Sequence, residues 1–460
     1  MADPRITEED AELRLPWARS DRRLARRFVQ PLQAFFSTEI AGALFLLIAA
    51  VAALAWANSP WAATYEHFWS TQVASSLGDL DLSMDLHAVV NEGLMTLFFF
   101  VVGLEIKREM ITGELRNPRS VALPVVAAIG GMLVPAVLYI VIVGGGPGAR
   151  GWGIPMATDI AFAVAVLTLA GRGLPSGLRS FLLTLAIADD IGAIVVIAIV
   201  YSAGVQVVPL LIAAGLLGVM GLLNRVHVRF MTVYVVLGIG VWFAVFASGV
   251  HATIAGVVLG LLVPARPFQR PKAVSEAAKR VADRTGDHPD PPDADSQDWL
   301  QLADLSREAV SPLARLESKL HPWTSLVIVP LFALANAGVT LTGGRLGEAS
   351  TGVVVLAIIA GLVIGKTVGI TGATWLGLRL GLSGLPRGAS LSHVVGVAAV
   401  AGIGFTVALF VAGLAFDDPA LTAAAKVGIL VASVLAGVLG TVLLRVVARR
   451  RAVPVLGDDG

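Results

Sequence analysis

The sequence predicts an all-α polytopic membrane protein, and three observations carry that prediction. The first is composition: of 460 residues, 56% are hydrophobic and 15% charged, against about 25% charged in soluble globular chains. The second is the placing of the charge. Segments 1–39, 264–320 and 445–460 hold 39 of the 67 charged residues in 112 positions, so the other 348 carry 28. A water-soluble fold needs charge spread over its surface, and this distribution excludes one. The third is a succession of about twelve apolar runs of near-spanning length separated by turn chemistry. A net charge of +1 gives no reason to expect nucleic acid as a partner. The absence of Cys removes disulfides and thiolate metal sites.

The runs lie near 40–57, 88–106, 121–143, 153–170, 180–201, 207–223, 231–247, 250–263, 323–339, 352–376, 391–414 and 421–444. The 39 residues before the first are too polar and too long for a signal-peptide n-region, so no cleavable leader is expected. Lipid admits only helices and closed barrels, and the runs lack period-two alternation, so all are read as helices. Lys and Arg then set the orientation. Lys107, Arg108, Arg116 and Arg119 crowd one loop, while 58–87 has no Lys or Arg. Arg172 with Arg179, Arg225 with Arg229, nine basic residues in 264–320, and Arg379 with Arg387 follow on alternate loops. Both ends are basic, which predicts an even number of spans with both termini in the cytoplasm. The organisation is therefore a cytoplasmic segment 1–38, spans one to eight over 39–263, a partly disordered cytoplasmic linker 264–320, spans nine to twelve over 321–444, and a tail 445–460. The linker is polar and Pro-rich around His288 to Asp295. Asp79 to Leu86 alternates strictly and reads as part of a short extracytoplasmic β-hairpin, an edge on which a second copy could pair to form a homodimer.

Four ionisable residues stand out deep inside the runs: Asp159, Asp189, Asp190 and Lys366. Each costs about 2.5–3.5 kcal/mol on insertion scales and is a functional candidate by default. A buried structural ion pair is the bland explanation, but with three carboxylates against one cation at least one carboxylate stays uncompensated. Adjacent Asp189 and Asp190 diverge by about 100° on a helix, so one can face Asp159 while the other faces Lys366. Thr158-Asp159 follows Gly151-Trp152-Gly153-Ile154-Pro155, a poor beginning for a continuous helix. Gly402 and Gly404 interrupt another run. Such breaks expose carbonyls, hydroxyls and helix ends to ions, although the glycine pair is equally consistent with close helix packing. Carboxylates, carbonyls and hydroxyls are hard oxygen ligands. With no Cys, and only His251 and His393 inside the runs, a transition-metal site is not expected. A desolvated carboxylate beside another holds either a proton or a small cation, and competition between the two is the simplest basis for exchange.

At these residues the sequence resembles the NhaA family of bacterial sodium/proton antiporters. Ala157-Thr158-Asp159-Ile160-Ala161-Phe162 resembles its cation-site segment, Ala188-Asp189-Asp190-Ile191-Gly192-Ala193 its paired-aspartate motif, and Gly365-Lys366-Thr367 its intramembrane lysine segment. Val102 to Glu109, Ser248 to Thr253 and His321-Pro322-Trp323 also resemble family segments. The resemblance implies inverted repeats with two broken helices, at Asp159 and at Gly402–Gly404, crossing near the midplane. It implies that Asp190 is the principal Na+ ligand and proton carrier, that Asp159 and Thr158 line the same site, and that Asp189 pairs with Lys366. Asp159 and Lys366 would compensate the opposed helix ends. It implies electrogenic exchange of Na+ or Li+ for H+ in the bacterial inner membrane, with no cofactor and no enzymatic reaction. Glu105, Lys107, Glu109, Glu317 and His321 resemble the region where the family senses pH, and His251 a histidine that influences that response. Solvated, orientation-setting charge is the alternative for the cluster. An intramembrane aspartyl protease and a cation channel are the other functional readings, the first because it too uses paired membrane aspartates.

Overall fold

The computed structural model describes residues 26–27, 30, 39–77, 80–170, 174–202, 204–228, 230–285, 293–340 and 349–451. Most of the segment 1–38, residues 286–292 of the linker and residues 452–460 of the tail lie outside the described residues, as does Asp79. The helices in chain order begin with α1 (Glu39–Ala57), α2 (Ala62–Trp69), α3 (Leu86–Ile111) and α4 (Pro118–Val143). A 3₁₀ segment, Pro147–Met156, leads to α5 (Ile160–Ala170), α6 (Gly177–Val200), α7 (Val207–Arg225), α8 (Met231–Ala247) and α9 (Ala252–Leu262). Then come α10 (Pro271–Thr285), α11 (Asp293–Glu308), α12 (Pro312–Trp323), α13 (Val329–Asn336) and α14 (Ser350–Arg379). The last are α15 (Leu391–Ala401), α16 (Phe405–Ala415) and α17 (Pro419–Arg451).

Seven of these helices are long and apolar enough to cross a membrane, and two bent pairs raise the number to nine among the described residues. The expectation of about twelve spans is not met by length and composition. The three remaining runs are helical but short. α8 and α9, of 17 and 11 residues, are separated where Gly249 takes a φ of +78°. The run at 323–339 continues out of α12, which carries Arg315, Glu317 and Lys319.

Packing follows the logic of a bilayer. In α1, Ala41, Leu46, Ala50 and Ala53 are buried while Leu47, Ile48 and Val51 are exposed. Lipid tails are as apolar as any core, so small side chains that let backbones approach hold helices together, and large aliphatics face outward. The closest case is α4 against α14. A Cβ at Gly369 would collide with the Gly130 carbonyl, and one at Gly130 with the Gly369 carbonyl. This contact fixes the height of Lys366, one turn earlier in α14.

The β-hairpin is present: β1 (Gln72–Leu77) pairs antiparallel with β2 (Leu80–Asp85), from Gln72↔Asp85 to Leu77↔Leu80. Asp85 ends it by capping α3, its Oδ1 accepting from the Ala88 N–H at 2.7 Å. The partner strand β1 is less regular in pattern and was not legible in the sequence. Within 264–320, residues 271–285, 293–308 and 312–320 are helical where a flexible linker is expected. Val274, Ala277, Ala278 and Val281 recur at helical spacing and give α10 an apolar face, which packs on α11. The base is closed by the Phe268 and Gln269 N–H groups, both donating to Glu308 O at 3.1 Å, and by Leu313 N–H to Pro264 O at 3.1 Å.

Candidate cation site

Two broken helices meet inside the bundle. The 3₁₀ segment Pro147–Met156 and α5 bend by 47° about Ala157-Thr158-Asp159, and α15 and α16 bend by 48° about Gly402-Ile403-Gly404. The Asp159 N–H donates to Ile403 O at 2.6 Å, so the two breaks are joined backbone to backbone. Gly402 and Gly404 have ordinary negative φ, −69° and −97°. What they supply is room: a Cβ on Gly402 would meet the Leu362 carbonyl, and one on Gly404 would press on Leu362 and Ala157.

Asp159 is buried at this crossing. Its Oδ1 accepts from the Phe162 N–H at 3.1 Å, the third residue of α5. Its Oδ2 accepts from the Thr406 N–H at 3.1 Å and from Thr406 Oγ1 at 2.7 Å. One carboxylate thus meets the N-terminal ends of α5 and α16, whose unpaired N–H groups carry partial positive charge.

Asp189 and Asp190 lie mid-way along α6, and α14 brings Lys366 to the first of them. Lys366 Nζ donates to Asp189 Oδ2 at 2.5 Å and to Thr158 Oγ1 at 2.8 Å. Both charged side chains have no exposed surface. Lys366 directly follows a π-turn, Ala360–Gly365, whose extra residue re-aims the side chains beyond it. Thr158 Oγ1 is 2.8 Å from Asp189 Oδ2 and 2.9 Å from Ala401 O. It has one proton for these two acceptors. The hydroxyl therefore links the ion pair to the C-terminal end of α15.

Asp190 is buried and its Oδ1 has no hydrogen-bond partner; the same holds for Asp189 Oδ1. Asp189, Glu105, Asp159 and Lys366 all lie within electrostatic reach of Asp190. The crossing therefore gathers Thr158, Asp159, Asp189, Asp190 and Lys366, with Thr406 as a further member. Thr406 was not singled out from the sequence; its position two residues past Gly404, at the start of a half-helix, was the available signal. Among the described residues no three His, Asp or Glu side chains converge as a metal cluster.

The remaining candidates fall in two places. Arg108 gathers carboxylates from two helices: Glu317 of α12 in a short hydrogen bond, Glu109 at 3.4 Å and Glu105 at 3.9 Å. Lys107 Nζ donates to Leu261 O at 2.6 Å. His321 is exposed one turn beyond Glu317, and no side-chain bond links it to Arg108. His251, between α8 and α9, has Nε2 3.0 Å from Tyr201 O and Nδ1 3.9 Å from Glu92 Oε1. Glu92 and Lys426 are two charges inside apolar runs that sequence reasoning passed over. Lys426 lies within electrostatic reach of His87, beside the hydrogen bond from Asn336 Nδ2 to Asn91 Oδ1 at 2.9 Å.

The profile of the family described as Na+/H+ antiporter 1 matches residues 33–444. Na+/H+ antiporter NhaA 2 of Sorangium cellulosum (strain So ce56) is 47% identical, covering 93% of this chain and 92% of the relative. Na+/H+ antiporter NhaA 2 of Myxococcus xanthus (strain DK1622) is 46% identical, over 92% of this chain and 90% of the relative. Na+/H+ antiporter NhaA of Oleidesulfovibrio alaskensis is 45% identical, over 92% and 96%. With a family match over most of its length and relatives of this identity and coverage, the chain belongs to the NhaA family of Na+/H+ antiporters.

Proposed function

We propose that the protein is an electrogenic secondary transporter that extrudes Na+ or Li+ in exchange for a larger number of entering H+. The observation that carries this is the buried, unpartnered Oδ1 of Asp190 within electrostatic reach of Asp159 and of the Asp189–Lys366 pair. A carboxylate so placed is satisfied by a proton or by a small cation, and not by both. Asp190 and Asp159 supply charged oxygen to the cation, with Thr158 and the carbonyls of the two breaks at hand to complete its shell. Proton arrival displaces the cation. Asp189 and Lys366 neutralise one another and hold Thr158 in place.

The architecture in this reading is the family's: inverted repeats, both termini and the α10–α11 hairpin in the cytoplasm of a bacterium, and the protein in its inner membrane. The domain limits are those set by the charged segments, 1–38, 264–320 and 445–460, around the membrane parts 39–263 and 321–444. Glu105, Lys107, Glu109, Glu317, His321 and His251 adjust the pH response, and a homodimer forms through the hairpin around residues 79–86.

Proton/sodium exchange in proteoliposomes tests the central statement. Wild-type protein should dissipate an imposed proton gradient on addition of Na+ or Li+, and Asp190→Ala should reduce this to the rate of empty liposomes. Exchange retained in Asp190→Ala would remove Asp190 from the mechanism.

A further inference from the structure

At the end of the bundle opposite the β-hairpin, α17 packs on α5, and between them lies a cavity of about 540 Å³ lined by Thr168, Leu169, Ala170, Arg445, Ala448 and Arg449. Its lining contains two guanidinium groups and no carboxylate. Neither Arg445 nor Arg449 has an ion-pair partner among the described residues. Thr168 Oγ1 is already engaged with Val164 O at 2.7 Å, so the arginines are the donors. They are four residues apart and project to one side of α17. The same side continues along the helix through Val442, Val438 and Val434, exposed by 53%, 59% and 66%. At about 100° per residue all five positions fall within one narrow arc. An exposed aliphatic stripe thus ends in two arginines beside a cavity.

We propose that this cavity binds the phosphate of an anionic glycerophospholipid, with the acyl chain lying along Val434–Val442 and the headgroup bridging Arg445 and Arg449. Two guanidiniums one turn apart suit the several oxygens of one phosphate, and basic pockets between spans are where anionic headgroups bind. The aliphatic stripe favours a lipid over a free phosphate, which has nothing to place against it. The occupant would hold α17 to the end of α5, the half-helix that begins beside Asp159. The site rests on the chain lying in a membrane and not on the antiport reading.

Native mass spectrometry of the purified full-length protein tests it, titrating phosphatidylglycerol and, separately, phosphatidylcholine. Arg445→Gln/Arg449→Gln should weaken phosphatidylglycerol binding by about thirtyfold, about fivefold per arginine, and leave phosphatidylcholine unchanged. Equal phosphatidylglycerol affinity in variant and wild type would overturn the proposal. Inorganic phosphate that reproduces the arginine-dependent thermal stabilisation given by phosphatidylglycerol would overturn the lipid assignment in favour of a free anion. Should the double variant fail to fold, Leu169→Glu sets a carboxylate in the same cavity, and unchanged phosphatidylglycerol affinity there overturns the proposal equally.

Discussion

Each oxygen of Asp159 meets an N–H at the start of a half-helix, which offsets part of the cost of placing a carboxyl group at the centre of the bundle. Thr406 adds the hydroxyl. Thr406→Val keeps the shape and removes that donor, and should cost about 1.5–3 kcal/mol, the range for a hydrogen bond to a charged group, read as a lowered midpoint of thermal unfolding in detergent. The Asp189–Lys366 pair poses the complementary problem. Lys366→Met leaves a fully buried carboxylate without its cation and should cost about 3–5 kcal/mol. Adding Asp189→Asn should recover much of that loss, since the uncompensated charge is then gone, and thermal unfolding of the single and double variants checks it. Thr158, with one proton shared between Asp189 and Ala401 O, is the point at which a change in the pair's charge would reach the backbone of the second broken helix.

At the scale of elements, close backbone approach decides where these side chains stand. Gly369 of α14 lies against the carbonyl of Gly130 in α4, while Gly372, on the same helix, has no atom in the way of a Cβ. Gly369→Ala should therefore force α4 and α14 apart and cost about 1–3 kcal/mol. Gly372→Ala should be neutral or slightly stabilising, since alanine is the better helix former. Melting temperatures of the two variants separate these outcomes. The group around Arg108 links α3 to α12. Glu105, half-buried and within electrostatic reach of Asp190, is its member best placed to influence the site. Glu105→Ala should displace the pH profile of exchange in vesicles more than His321→Ala does, because His321 is exposed and unbonded to that group.

For the whole molecule, the α10–α11 hairpin is an appendage with a closed base: Phe268 and Gln269 both donate to Glu308 O. Its two ends are therefore within a few residues' reach of each other. Replacing residues 271–307 by a short Gly-Ser bridge should leave sodium-driven proton movement in vesicles intact, and its loss would tie the hairpin to transport. On the opposite end, deleting residues 72–85 should weaken dimers in detergent if the β-hairpin is the contact between copies. Undiminished dimers would place the interface elsewhere.

The membrane character, the positions of the apolar runs and the four intramembrane charges were legible in the sequence, because each follows from composition and from the cost of charge in lipid, which are local properties. The paired-aspartate motif and the two interrupted runs identified the family for the same reason. Span number was less legible, since a run of apolar residues does not reveal where Gly249 turns the chain between α8 and α9, or how far a polar helix such as α12 runs into the bundle. The helices at 271–285 and 293–308 were hidden by a polar, Pro-rich composition that reads as linker. Composition and spacing do not distinguish the two adjacent aspartates beyond showing that they point apart; the family resemblance pairs Asp189 with Lys366, and the approach of α14 supplies the contact. Only the crossing of the two breaks brings Thr406, almost 250 positions away in the chain, onto Asp159. Hydrogen bonds of that sequence separation depend on how helices pack, and no local pattern encodes them.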